Sequence, residues 1–502
     1  MPIRSISRTL AAIIIVLTGC AGPGPKMMPA APTEIRQVEA GVERVYDANG
    51  DGKADYVERS PDSGPVSALR FDIDGDGLFE LAVPRDVPTA GDRHLIILLD
   101  SIPFDIVHDV WTAGRLRLFN APSRTISPFP VMTDLSFSEF FGVSPSPGVE
   151  SEYFDGKTLR GGYLSYASES NATKWLRQTD YHLRMIAHSF AYLKPDRWYM
   201  HELGSIQRLF YKNGKSPMIG YVVGTSALGA IQSRNGHVNA LTQVDRMCQQ
   251  IMYQTRGHVQ ITLLSDHGHH LITSRRVLLR ESLERMGYHA TTHLRSVQDI
   301  VVPEFGVVTC AAIHTKMPAQ VARDAINIEG IDFAAYQDGE DVIVVSRRGS
   351  AQITAANGRI RYMVQRGDPL GLTPIIDDLM TKQGIDSDGF VDDRVLFSAT
   401  MSHLYPDGVH RLWRAFHGLI EHTPDVLISV DEGWHCGSKF MSNLVEIRGA
   451  HGSLRYASSC GFAMTTLGPL PAVMRMDDLS AELAKMGADV RVSAPAASGD
   501  SR

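Results

Sequence analysis

Apolar positions in this chain gather into short runs set apart by polar, glycine-rich connections. Five runs have strand length and almost no charge: Leu95–Leu99, Met218–Val223, Ile261–Leu264, Val342–Val345 and Val426–Val430. Uninterrupted apolar runs of this kind mark strands covered on both faces. Elsewhere the apolar positions recur with helical spacing, at Val244–Tyr253, Arg276–Met286 and Asp477–Met486. Alternating strands and helices predict an α/β fold, a mostly parallel sheet flanked by helices, over residues 91–475. Residues 275–400 break that rhythm. There Ile326–Val345 and Ala351–Val364 read as short strands around Gly turns, which predicts an inserted α+β subdomain. The last stretch, 476–502, reads as a terminal helix followed from Ala494 by an Ala/Ser/Gly-rich disordered tail.

The N-terminus carries another pattern. Arg4 and Arg8 lead into Leu10–Leu17, an apolar core too short to span a bilayer, and then Leu17-Thr18-Gly19-Cys20. Small residues before a cysteine resemble a bacterial lipobox. Residues 1–19 therefore read as a lipoprotein signal peptide, with Cys20 the lipidated first residue of the mature chain. Ala21 stands where Asp would favour the inner membrane, so the expected site is the cell envelope, at the outer membrane facing the periplasm. Residues 20–40, with Pro23, Pro25, Pro29 and Pro32, read as a semi-extended tether to that membrane.

Two acidic loops occupy the next region, 41–90. Asp47, Asn49, Asp51, Asp55 and Glu58 fall at positions 1, 3, 5, 9 and 12 of a loop with Gly52 at position 6. A Ca2+ ion needs six or more oxygens, and the glycine permits the sharp turn. Asp72, Asp74, Asp76 and Glu80 repeat the pattern, but Val83 stands at the twelfth position. The segments entering the loops, Arg44-Val45-Tyr46 and Leu69-Arg70-Phe71, alternate apolar and polar as strand ends do. Structural calcium beside strands is the expectation, rather than a helix-loop-helix sensor.

Composition adds exclusions. With 43% apolar residues and no second long apolar run, the body of the chain is globular. A net charge of −7 without a basic stripe leaves no expectation of a nucleic-acid partner. Beyond Cys20 the cysteines are Cys248, Cys310, Cys436 and Cys460, spaced too widely for a zinc ribbon. In an oxidising compartment Cys436 and Cys460 could pair; four buried thiols are the alternative.

The chemistry sits where two apolar runs end. Leu95–Asp100 closes on a carboxylate, and Val259–His270 closes on Ser265-Asp266-His267-Gly268. In α/β proteins the C-terminal ends of strands are where ligands collect. Together with Gly449-Ala450-His451-Gly452-Ser453, these residues resemble the metal-binding motifs of the alkaline phosphatase superfamily, in its type I phosphodiesterase/nucleotide pyrophosphatase branch. The resemblance extends from about His94 to Leu470. It implies two metal ions, Zn2+ or Mn2+, with a Ser or Thr nucleophile between them acting on a small phosphoester. Asp100, Asp266 and His267 would form one site, and His451 would belong to the other. Pro128-Phe129-Pro130-Val131-Met132-Thr133-Asp134, leading into Ser136–Gly142, matches the nucleophile segment and nominates Thr133. A hydroxyl at a helix start gains from the amide dipoles there.

One segment departs from the family pattern. In Gly224-Thr225-Ser226-Ala227-Leu228-Gly229-Ala230, Ser226 and Ala230 stand where an Asp and a His would complete the second site. Neither ligates a divalent ion as those would. His237, His269 and His270 are possible substitutes, given a shifted loop. Two functions follow: a metal-dependent phosphoester hydrolase with an incomplete second site, or an inactive relative serving as a lipid-anchored binding or scaffold protein. A sulfatase is disfavoured, because no Cys-x-Pro-x-Arg segment is present.

Overall fold

A computed structural model describes residues 22–85, 91–168, 173–439, 442 and 448–490. The signal segment, Cys20 and the tail from Ala494 lie outside the described residues. The architecture is mixed α/β. Its central sheet has six strands, in the order Met218–Val222, Arg93–Leu99, Val259–Leu264, Cys460–Thr465, Ser123–Ile126 and Val473–Arg475. The first three run parallel to one another; Cys460–Thr465 is antiparallel to both of its neighbours.

The apolar runs form these strands because both faces are covered. Leu95, Ile97 and Leu99 pack on one face, against helices Pro195–Lys212 and Gly224–Gln254; Ile96 and Leu98 pack on the other, against Phe137, Trp175 and Leu479. A side-chain period of two sends neighbours to opposite cores, so each run reads as continuously apolar.

A second sheet of nine strands is almost wholly antiparallel. Its middle strands run Cys310–Thr315, Val426–Val430, Ile331–Asp338, Asp341–Ser346, Gly349–Ala356 and Arg359–Gly367. The unit expected over 275–400 thus draws in Val426–Val430, which lies between two strands of earlier sequence. The expected helix Arg276–Met286 starts only at Leu279, because Arg275–Arg276 pairs in parallel with Trp434–His435.

The acidic loops sit in a five-stranded antiparallel meander, Glu34–Val38, Gly41–Tyr46, Tyr56–Ser60, Ala68–Phe71 and Leu81–Pro84. Its Tyr56, Leu69 and Phe71 join the core of the central sheet. The proline-rich stretch before it is docked along the body. Met28 is fully buried and its amide donates to Arg246 O at 3.0 Å, while Lys26 N donates to Gln207 Oε1 at 2.7 Å. A proline-rich segment has few N–H groups to satisfy, so a few side-chain partners fix it. All four described cysteines are free and buried, so Cys436 and Cys460 form no disulfide. No helix among the described residues is long and apolar enough to cross a membrane.

Candidate functional site

Parallel register brings the two chemical strand ends together. Leu98 lies opposite Leu264, so Asp100 and Ser265-Asp266-His267 emerge at one sheet edge. Ser101 follows Asp100 in the left-handed region, at φ 63°. That turn aims its amide at Asp266 Oδ1, at 2.9 Å, and Ile102 N donates to Ser265 Oγ at 2.9 Å. The ligand atoms of Asp100, Asp266 and His267 all lie within 4.8 Å of one another, and all three residues are buried. Helix Thr133–Phe141 points its first residue at this cluster, with Thr133 Oγ1 3.3 Å from His267 Nε2.

Electrostatics suit a cation here. Burial, then the neighbouring Asp266 charge, pushes Asp100 up to about 6; burial raises Asp266 as well. Burial holds His267 down to about 3, so its ring is neutral. His267 Nδ1 lies 2.8 Å from Gly268 O and must donate there, which leaves a lone pair on Nε2. Asp266 Oδ2 is buried without a hydrogen-bond partner. Two mutually repelling carboxylates beside the lone pair of a neutral imidazole, in a low-dielectric site, fit a divalent cation.

The remaining expected residues are placed as follows. His451 joins the cluster: its ring stacks on His267 at 4.0 Å, and its Nδ1 is 2.9 Å from Val131 O. Ser226 lies 3.2 Å from Ser101 Oγ and 3.2 Å from the Tyr192 hydroxyl, and Ala230 lines the same cavity. His269 lines it too, whereas His270 turns to Ser453 Oγ at 3.0 Å. Two contacts to Asp100 join residues that the sequence alone does not pair. The Tyr221 hydroxyl donates to Asp100 Oδ2, and Ser101 Oγ donates to Asp100 Oδ1 at 2.5 Å. A lone tyrosine in the otherwise aliphatic strand Met218–Val222 was the available signal.

Thr133 faces a cavity of about 290 Å³. Its walls carry Tyr153, Tyr166, Trp175, Tyr192, Tyr221 and Phe305. No Lys or Arg lines it among the described residues.

The acidic loops share one hydrogen-bond plan. Asp47 accepts from Gly50 N at 2.6 Å and Gly52 N at 2.9 Å; Asp72 accepts from Gly75 N at 2.8 Å and Gly77 N at 2.7 Å. Asp55 accepts from Ala48 N, as Glu80 does from Ile73 N. Gly50 and Gly75 sit at φ 83° and 82°, where a side chain would be strained. Asp72, Asp74, Asp76 and Glu80 gather their carboxyl oxygens within 4.8 Å. In the first loop the Asn49 amide instead donates to Asp55 Oδ1 at 2.7 Å and reaches Asp51 Oδ2 at 3.3 Å. Glu58, the expected twelfth-position ligand, is not brought to the loop. It lies in strand Tyr56–Ser60, buried, accepting from the Tyr56 hydroxyl at 3.2 Å. The chain returns to its strand before position 12, and the strand's alternation turns that side chain inward.

Fold and site together define a mixed α/β protein with a buried Asp-Asp-His centre where parallel strands end. No protein-family model matches the chain, and no curated protein matches it. Among solved structures it is similar to human ectonucleotide pyrophosphatase/phosphodiesterase 5, at 12% identity and a TM-score of 0.44, over 81% of this chain and 97% of that one.

Proposed function

We propose that the chain is a metal-dependent phosphoester hydrolase of the phosphodiesterase/pyrophosphatase kind, with Thr133 as nucleophile. The observation that carries this is the convergence of the Thr133 hydroxyl with Asp100, Asp266 and His267 at the wall of one cavity. Asp100, Asp266 and His267 would hold one Zn2+ or Mn2+, which when bound acidifies a nearby hydroxyl and offsets negative charge on phosphate oxygens. The Thr133 hydroxyl gives its proton to water and its Oγ attacks phosphorus, forming an O–P bond as the bond to the leaving oxygen breaks and that oxygen takes a proton from solvent. Water then attacks phosphorus, breaking the Oγ–P bond and restoring the Thr133 hydroxyl. The first amides of helix Thr133–Phe141 have no helical acceptor and favour the anionic group beside them. Tyr221 and Ser101 hold Asp100 in place. The aromatic wall receives the organic group of the ester.

The second reading, a lipid-anchored binding or scaffold protein, is favoured by Ser226 and Ala230 standing at the expected ligand positions. In either case Cys20 would carry the lipid anchor at the outer membrane, and the two acidic loops would bind structural Ca2+.

Hydrolysis of bis-p-nitrophenyl phosphate separates the readings. Turnover that requires added zinc or manganese and is lost with a chelator supports the hydrolase. A protein that takes up no transition metal and gives no turnover is the scaffold. The calcium loops have their own test. Chelating calcium should lower Tm by several degrees, since saturation at a hundred times Kd stabilises by about 2.7 kcal/mol. An unchanged Tm with and without calcium would show that the loops fold unaided.

A further inference from the structure

We infer that the outer face of helix Pro195–Lys212 lies flat against an anionic phospholipid bilayer, so that the body is held at the membrane surface. The distance in this argument rests on the lipid anchor at Cys20; the charge does not.

The helix sorts its charges by face. Trp198, Tyr199, Leu203, Ile206 and Phe210 turn inward and are buried. Arg197, Arg208 and Lys212 are exposed, with exposed Lys194 just before the first turn. At 3.6 residues per turn the three fall within a stripe about 60° wide. The acids of the helix lie elsewhere. Glu202 is fully buried at the start of helix Gly224–Gln254, and Asp196 accepts from Gln232 Nε2 at 2.7 Å. Nearby Lys215 pairs with Asp180, whereas among the described residues none of the four stripe cations forms an ion pair. Interleaved with buried positions, the stripe makes no run in the sequence. The chain as a whole carries a net charge of −7, which an anionic surface repels. Only a basic face can approach such a surface, so the stripe also sets the orientation. Leu193 and Tyr211, 40% and 41% exposed, stand near its two ends. Such side chains suit the boundary between headgroups and acyl chains.

The docked N-terminal segment fixes the spacing. Gly22 N donates to His201 Nδ1 at 2.7 Å, and Arg208 Nη1 donates to Pro23 O at 2.8 Å. Gly204 makes room for it, since a Cβ there would lie 2.4 Å from Pro23 O. The segment therefore reaches Gly22 beside His201 and Arg208, in the middle of the basic face. From Gly22 to Cys20 is two residues, a reach of at most about 7 Å. A lipid on Cys20 holds these cations within about 8–10 Å of the headgroups, the Debye length at ordinary salt. Each basic group at that range strengthens binding about fivefold.

The test uses the full chain, produced with its signal segment and purified from membranes. It is added to vesicles of phosphatidylcholine alone or of an equal mixture with phosphatidylglycerol. Lysine acetylation is followed by mass spectrometry, and the N-terminal peptide in the same digest reports whether Cys20 carries lipid. On the mixed vesicles Lys194 and Lys212 should label about tenfold more slowly than on phosphatidylcholine, and high salt should abolish the difference. Lys316 and Lys382, exposed around the second sheet, should label alike on both. Arg197→Glu with Lys212→Glu, or the gentler Arg197→Gln with Lys212→Gln, should keep Tm near wild type and return Lys194 to its phosphatidylcholine rate. A lipid-free chain still protected on the mixed vesicles would refute the anchor and leave this face standing. Equal labelling of Lys194 and Lys212 on both vesicles, with or without lipid on Cys20, overturns the proposal. So does protection that survives both pairs of substitutions, or slowing that Lys316 and Lys382 share.

Discussion

Thr133→Ala is expected to lower kcat on bis-p-nitrophenyl phosphate by on the order of 10⁴-fold or more, the scale on which a lost nucleophile acts. The fold should not notice. Thr133 is half-buried at the first position of helix Thr133–Phe141, and its side chain caps nothing. Its loss removes weak contacts, the 3.3 Å approach to His267 Nε2 and an interaction with the Asp266 carboxylate, each about 1 kcal/mol. Tm and zinc content should therefore stay near wild type while turnover disappears. Thr133→Ser keeps the hydroxyl and should keep most of the rate. Steady-state kinetics on the three proteins decide the matter. Unchanged turnover in Thr133→Ala would move the nucleophile, and Ser101, whose hydroxyl touches Asp100, is where it would go.

What the sequence discloses and what it hides follow from the range of the interactions. Leu95–Leu99 and Ile261–Leu264 were legible as strands because both faces are buried, and burial writes a local, continuous signal. The positions of Asp100 and Asp266 at strand ends were legible for the same reason. Tyr221 could not be paired with Asp100 beforehand, since that contact comes from strand order, which a single sequence does not encode locally. The first half of helix Gly224–Gln254 carries no helical signal in the sequence because it is rich in Gly and Ser. Its start is held instead by Glu202, which accepts from Val223 N at 3.0 Å and Gly224 N at 2.8 Å. Val426–Val430 reads as a strand, but nothing in its residues says that it enters a sheet whose neighbours precede it by about a hundred residues. Glu58 sits in strand Tyr56–Ser60 and not at the loop, because loop spacing predicts ligands only while the chain remains a loop.

Glu58 also carries the second large effect. Glu58→Gln is expected to stabilise the protein at pH 8–9 by a few kcal/mol and to change little near pH 5. Burial pushes Glu58 up to about 8, and Asp245, itself pushed up to about 6 by burial, adds to it. The unfolded chain releases the Glu58 proton near pH 4.5, the native chain only near 8. Across that window the native state binds more protons than the unfolded state, so stability is full below it and falls as pH rises, by about 1.4 kcal/mol per unit. Glutamine keeps the shape and a polar contact for Tyr56 but has no proton to lose. Urea midpoints measured from pH 5 to 9 should diverge, with the variant above wild type at the alkaline end. The calcium-ligand role predicts the opposite sign: with calcium present, Glu58→Gln would be the less stable protein throughout. A difference that does not grow with pH would mean that Glu58 is ionised and solvated. A variant less stable than wild type at every pH would return Glu58 to the loop.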